Sequence, residues 1–425
     1  MQQDKRFQRV TLITSDAAMA ANAHGGRAKC LQRLIRLDLP VPTTVALCFS
    51  TVHDAASGQL PDLSQILAHF GAAPLLSVRP SSQEPDWGGP GAILNIGMND
   101  DAYAKMGKSI GEEAATSLYL RFIQSYAVHV VRLDPDAFYI PDTLNAQAVR
   151  DMLRSFEEEM DEPFPQSIEV QLAAVLRSMA RAWEGTTARL LRQAKGAPAD
   201  AGLGLVVQAM ALGVGAGVSG SGVIQFVDAA TGAPQITGRY LSQSQGREAL
   251  TAGGDTIYLT KGARGTSLEE LCPNCFADLV KFGAAVRARL REEMQIEFTL
   301  EDGKILILDG VRVERSARAA LRIAVTLAQD GIIGEDEAVM RIAPSALSEL
   351  LHKQVDPEAK RDVIGRGIAA SPGAASGKIV FTAEAAQASA ARGEACILVR
   401  RETTPEDIRG MHAAEGVVTL RGGVT

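Results

Sequence analysis

The sequence predicts an α+β protein of several domains. Three patterns carry that expectation: strand-like and helix-like segments alternate at the start, a long helical stretch fills the middle, and a β-rich block with an Asp-Gly hairpin follows. At 425 residues the chain has room for two or three domains. Hydrophobic residues make up 46% and charged residues 22%, an ordinary globular balance, so cores of normal size can form without disulfide or metal staples. The formal net charge of −7 and the pI of about 5.5 argue against a general nucleic-acid binder. Any phosphate chemistry must therefore depend on local arginines. The opening MQQDKRFQRVTLITSD carries no long apolar core and no small-residue cleavage site, and no apolar run approaches a membrane span. A cytoplasmic chain with no membrane partner is expected. Five cysteines, odd in number and scattered, fit reduced thiols better than a disulfide framework.

Taken in order, RVTLITS reads as a strand and GGRAKCLQRLIRL as a glycine turn running into an amphipathic helix. PLLSVRP is a short buried strand that ends at Pro80. The glycine- and proline-rich PSSQEPDWGGPGAILNIG after it is too irregular for helix or strand. In SIEVQLAAVLRSMARAWEG, Ile168, Leu172, Val175, Leu176, Met179 and Trp183 recur at spacings of three and four. That stripe predicts a helix facing a core, with Ser167 as its cap. LGLVVQAMALG and SGSGVIQFVD are apolar strand candidates, and IEFTLEDGKILIL is a hairpin turning at Asp302-Gly303. From Ser316 to His352 the pattern returns to helix. A last unit opens near Val363 and alternates the strands GKIVF, ACILV and GVVTL with helices, which suggests a small α/β domain. No internal repeat and no low-complexity segment is present.

The segments ASPGAASGKIVF, ILVRRETTPEDIRGMHAAEGVVTLRGGVT, LLSVRPSSQEPDWGGPGAILNIGMND, VVQAM, SGSGV, MQIEFTLEDGKILIL and GIIGEDEAVMRI together resemble the pyruvate, phosphate dikinase family. Phosphoenolpyruvate synthase is the related relative, but the PEDIRGMHAAEG wording favours the dikinases. The resemblance implies an ATP-grasp fold made of two α+β subdomains with a helical insertion, a helical linker, and an incomplete small α/β phosphohistidine-type domain. The expected boundaries are 1–110 for the first subdomain, 111–200 for the helical part and 201–315 for the second subdomain. The linker is expected at 316–361 and the swivelling phosphohistidine domain at 362–425. In the family, the counterpart of RGGVT is followed by Ser and then by the histidine that carries the phosphoryl group. That carrier histidine lies beyond Thr425, as does the pyruvate-binding barrel, so no catalytic residue is assigned. His412 stands where the family has a non-carrier histidine, with packing or capping as the expected role. His24, His53, His69, His129 and His352 sit singly and are expected to have surface or core roles.

The same resemblance implies a nucleotide site with ATP and Mg2+ as cofactors. Arg27 stands at the family's phosphate lysine in HGGRAKC, where it keeps the charge but changes donor geometry, and Lys29 is near enough to substitute. Arg79 matches the phosphate arginine. The second arginine of that loop is replaced by Gln83, and Trp87 interrupts the pattern. Gln208 and Met210 match the adenine-side strand, and the loop Gly213–Gly222, with Gly220 and Gly222, is placed to cover phosphates. The family's Asp, Glu and Gln around magnesium read here as Gln295, Glu297 and Asp309. Two carboxylates and one amide survive, but the amide and one carboxylate have exchanged strands. Magnesium demands near-octahedral oxygen placement, so its binding is expected to be weakened or lost. Val227 and Val311 replace arginines, and Arg239 and Arg247 stand where acids are expected. Cys272 and Cys275 are expected to pack at a helix start, with metal or redox chemistry as the minor alternative.

Two functions follow. The first is an enzyme fragment that binds MgATP and phosphorylates a histidine supplied by a partner chain, which would also bring the pyruvate domain. The second is a catalytically degenerate nucleotide- or anion-binding scaffold. An unfinished sheet in the last domain further predicts either a homodimer through its edge or disorder near residues 363–425.

Overall fold

The computed structural model describes residues 8–84, 87–245, 257–262, 265–351, 355–356, 359–368, 371 and 373–421. The chain divides into two compact units, Met1–Glu314 and Arg315–Thr425. No helix among the described residues is long and apolar enough to cross a membrane.

The first unit is built on two antiparallel sheets. One contains β1 (Val10–Leu12), β2 (Thr44–Leu47), β3 (Leu76–Ser82), β4 (Ile93–Ile96) and β5 (Leu203–Ala209), in the order β1-β2-β5-β3-β4. The long helical stretch thus leaves the sheet after β4 and returns to its middle as β5. Two expectations need correction here. The strand through PLLSVRP does not stop at Pro80 but runs to Ser82. Beyond Val78 it is paired only with β5, so the missing proline N–H falls on an unpaired margin, where proline is tolerated. The segment read as irregular also holds β4. Its alternation is hidden because Asn95 takes a positive φ of 61° and the β3–β4 register shifts.

The helices of this stretch bury their apolar stripes against the first sheet. In the helix Ile168–Glu184, Leu172, Val175, Leu176, Met179 and Trp183 are all buried, and Ser167 Oγ accepts from the Val170 amide at 3.4 Å. Phe164 anchors an aromatic cluster, with ring centroids 5.7 Å from Phe122, 5.3 Å from Tyr126 and 5.1 Å from Phe156, all edge-on. Such edge-to-face packing suits the ring quadrupoles.

The second sheet contains β6 (Gly220–Val227), β7 (Pro234–Ser242), β8 (Met294–Glu301) and β9 (Lys304–Arg312), in the order β7-β6-β8-β9. Asp302 and Gly303 join β8 to β9 with φ of 48° and 76°, the two positive values that a tight hairpin turn requires. The helix Pro273–Leu290 packs on this sheet through Leu279 and Val286. The helix Gly26–Ile35 contributes Ala28, Leu31 and Leu34 to the same core, together with Val206 of β5, Ile296 of β8 and Ile307 of β9. This helix therefore bridges the two sheets and fixes what lies between them.

Cys272 and Cys275 are joined by a disulfide at the start of the helix Pro273–Leu290, which corrects the expectation of reduced thiols for this pair. A spacing of three brings the Cα atoms to 5.3 Å, within bonding range. Cys30, Cys48 and Cys396 are free.

The second unit begins with the helices Ala317–Gln329, Glu335–Met340 and Pro344–Leu350, the first capped by Ser316 Oγ on the Ala319 amide at 3.1 Å. Its sheet is parallel, with β10 (Lys378–Val380), β11 (Cys396–Arg400) and β12 (Gly416–Thr419) in sequence order. The helices Ala383–Ala391 and Ile408–Ala413 make the crossovers that parallel strands need. His412 lies exposed in the last turn of Ile408–Ala413, so it suits a helix end and is not a packing residue. Phe381, Val418 and Leu420 are exposed on or beside this sheet, where pairing through its edge was expected.

Candidate functional site

The site grows from the contact between the helix Gly26–Ile35 and the end of β3. Gly25 has φ of 87°, and a Cβ there would stand 1.8 Å from Ser81 O. Only glycine lets the chain pass this close. Ser81 Oγ then accepts from the Ala28 amide at 3.0 Å and satisfies one of the free donors of the helix start. With its backbone pinned, Arg27 donates to Pro80 O and, through Nε, to Asp309 Oδ2 at 2.6 Å. Arg79 projects from β3, pairs with Glu297 of β8 and donates to Leu308 O at 3.0 Å.

Glu297 and Asp309 are register partners across β8 and β9, so their carboxylates share one face of the sheet. Two like charges so placed repel unless cations intervene. Here one guanidinium from the bridging helix and one from the first sheet supply the balance, giving two positive and two negative groups. Side-chain exposure is 1% for Asp309, 14% for Arg79, 17% for Glu297 and 23% for Arg27. Burial alone would raise the Asp309 carboxyl, but Arg27 and Arg79 outweigh it and hold the group below its ordinary range. For Arg79, burial opposes the charged form, while Glu297 and Asp309 more than restore it. The Cys30 thiol, 3.1 Å from Gly310 O, is pushed up to about 12 by burial and by the Asp309 charge, and is not a nucleophile at neutral pH.

Beside this cluster a cavity of about 230 Å³ opens between the sheets of the first unit. Arg27, Arg79 and Glu297 form its charged end. Its uncharged end carries Ser77, Gln208, Met210, Ser221, Gln245 and Thr299, and the segment Pro90–Ala92 before β4 contributes a wall. Ser221 and Thr299 are register partners with hydroxyls 3.1 Å apart, two residues along from the Val223–Glu297 pair. One pleat repeat, roughly 7 Å, therefore separates Thr299 from Glu297 along β8.

Of the residues singled out in the sequence, Arg27, Arg79, Gln208, Met210, Gly222 and Glu297 line this cavity. Asp309 stands behind Arg27 and is fully buried. Lys29 does not line it: its Nζ donates to Met19 O at 2.9 Å and to Gln32 Oε1 at 2.7 Å, on another side of the helix. Gln295 pairs opposite Val311 and, like Gly220, lies off the lining. Arg239 is exposed on β7 and Val227 is buried at the end of β6, while Arg247 and His352 lie outside the described residues. The glycine loop is held by protein groups, because Gly217 N donates to Asp302 Oδ1 at 2.9 Å and Gly215 N to Gln243 Oε1 at 3.1 Å.

Ser77, Ser221, Thr299 and Gln245 were not found from the sequence. Thr299 had a usable signal, since it stands two residues from Glu297 on the same strand. Gln245 had one as well, since it stands two residues before Arg247, a position marked by the resemblance. Among the described residues no group of three His, Cys, Asp or Glu gathers that could hold a metal ion. Glu297 and Asp309 offer adjacent carboxylates, and both are committed to arginines.

Residues 393–425 match the family model for the mobile domain of PEP-utilising enzymes, which sets the class to which that segment belongs. The chain as a whole is a homologue of the pyruvate, phosphate dikinases. It is 35% identical over 445 residues to the pyruvate, phosphate dikinase of Rhizobium meliloti, covering 94% of this chain and 49% of that protein. With the Clostridium symbiosum enzyme identity is 37% over 372 residues, covering 83% and 42% respectively. With that of Rickettsia typhi it is 28% over 444 residues, covering 96% and 50%. The chain thus spans about half the length of the curated relatives it matches.

Proposed function

We propose that the cavity binds ATP, as the nucleotide site of an ATP-grasp fold formed by residues 1–110 and 201–315 around the helical part 111–200. The observation that carries this reading is the gathering of Arg27, paired with Asp309, and Arg79, paired with Glu297, at one end of a cavity whose other end is uncharged. Phosphoryl transfer is chiefly positioning and charge neutralisation, and two guanidiniums supply both. The uncharged end is shaped for the nucleoside. In this reading residues 316–361 are a linker and 362–425 belong to the phosphohistidine-type domain. The acceptor histidine and the pyruvate site are then contributed from outside residues 1–425.

Magnesium, when bound with the nucleotide, would neutralise charge on the phosphates. Glu297 and Asp309 are the residues that would hold it, and their adjacency across the hairpin fits a shared cation. Each is paired with an arginine, so a ligand would have to exchange with these ion pairs, Arg27 and Arg79 turning to its phosphates and Glu297 and Asp309 becoming available to a cation. Either partner alone would leave buried charge unpaired.

A second reading, an anion-binding scaffold without metal chemistry, is favoured by the charge balance of the cluster and by the loop amides already in use. Isothermal titration with ATP, with and without magnesium, separates the two. The first reading expects magnesium-dependent binding that falls at least about tenfold in Glu297→Ala, the loss of one charge-assisted contact. Magnesium-independent binding supports the anion-binding scaffold, and no heat with any nucleotide removes the first reading and leaves only a scaffold.

A further inference from the structure

Gln245 lines the uncharged end of the cavity and is 8% exposed, yet its Nε2 has no hydrogen-bond partner among the described residues. An unmade hydrogen bond on a buried amide is costly, so native proteins seldom leave one without a use. Among the described residues the neighbours do not supply an acceptor. Ser221 Oγ donates to Ser244 O at 3.0 Å and is then free to accept from the Thr299 hydroxyl at 3.1 Å, so these two groups satisfy each other. Gln208 is likewise engaged, with its Nε2 on Thr44 Oγ1 at 3.0 Å. Among the described residues that line the cavity, this amide nitrogen is the one buried side-chain nitrogen or oxygen without a partner.

We infer that Gln245 is the residue that reads the uncharged part of the ligand. Its Nε2 donates to a hydrogen-bond acceptor there, a ring nitrogen or an oxygen of the nucleoside, while Arg27 and Arg79 hold the phosphates. The inference rests on the nucleotide reading above and adds a selection to it: the site prefers a nucleoside polyphosphate to a bare polyphosphate because only the former meets this donor. A pocket built for phosphate alone would have no use for an unpartnered amide in its lining.

The test uses the whole 425-residue chain and two probes, ATP with magnesium and inorganic tripolyphosphate with magnesium, titrated into wild type and Gln245→Met. Methionine keeps the length and removes the amide. The expected result is an ATP affinity about tenfold weaker in the variant, the size of one neutral hydrogen bond, with tripolyphosphate affinity unchanged. The thermal midpoint of the variant should equal or exceed that of wild type, since a buried unpaired donor has been removed. Equal losses for both probes, no loss for either, or a lowered midpoint would overturn the inference while leaving the nucleotide site standing. A wild-type chain that binds neither probe would remove the nucleotide reading and this inference together.

Discussion

Replacing Arg79 with methionine should lower the stability of the first unit by about 3 kcal/mol, the low end of the range for breaking a buried ion pair. The change leaves Glu297 beside Asp309 with only Arg27 to balance both, and it strips a donor from Leu308 O. The remaining carboxylate at 17% exposure reaches some water, which keeps the effect below the upper end of that range. The double variant Arg79→Met/Glu297→Leu should recover most of the loss, because matched apolar groups can replace a buried pair at little net cost. Urea unfolding followed by the fluorescence of Trp87 and Trp183, both in this unit, measures the three proteins. A single variant within about 0.5 kcal/mol of wild type would show that the pair contributes no more than an exposed one. A double variant as unstable as the single one would place the loss in packing rather than charge.

Gly25→Ala should be at least as damaging, at about 3–4 kcal/mol, because two effects add. A φ of 87° with ψ of 167° lies in a region that essentially only glycine visits and strains any side-chain-bearing residue by about 1–3 kcal/mol. The new Cβ would also stand 1.8 Å from the Ser81 carbonyl oxygen and 2.3 Å from its carbonyl carbon, backbone that cannot rotate away. The helix start must then retreat from β3, which breaks the Ala28–Ser81 bond and carries Arg27 off Asp309 and Pro80. Gly58→Ala is the control. Its φ of 99° is equally unsuited to alanine, but nothing lies within 4 Å of the added Cβ, so only the first effect remains. If the two variants unfold at the same urea concentration, the close approach at Gly25 does not shape the site.

How much of this was legible in the sequence depended on whether local pattern and tertiary context agreed. The helix Ile168–Glu184 and the Asp302-Gly303 hairpin were read correctly, because burial on one face and a tight turn both leave periodic or dipeptide marks. β4 was missed because four residues containing a positive-φ asparagine leave no such mark. The membership of β5 in the first sheet depends on a return across the whole helical stretch, which no local window contains. In the candidate site, Arg27, Arg79 and Glu297 were found by resemblance, and their convergence needed the fold. Lys29 sits two residues after Arg27 and was grouped with it, but two residues on a helix point nearly opposite ways. The pairing of these arginines with Glu297 and Asp309 was invisible, since the partners lie more than two hundred positions apart.

The central claim is that this four-charge cluster opens to take a nucleotide. Co-crystallisation with a non-hydrolysable ATP analogue and magnesium tests it most directly. The claim predicts the triphosphate on Arg27 and Arg79, both guanidiniums withdrawn from the hairpin carboxylates, and the nucleoside beside Gln245. An analogue bound elsewhere on the chain, with the Arg27–Asp309 and Arg79–Glu297 pairs intact, would contradict it.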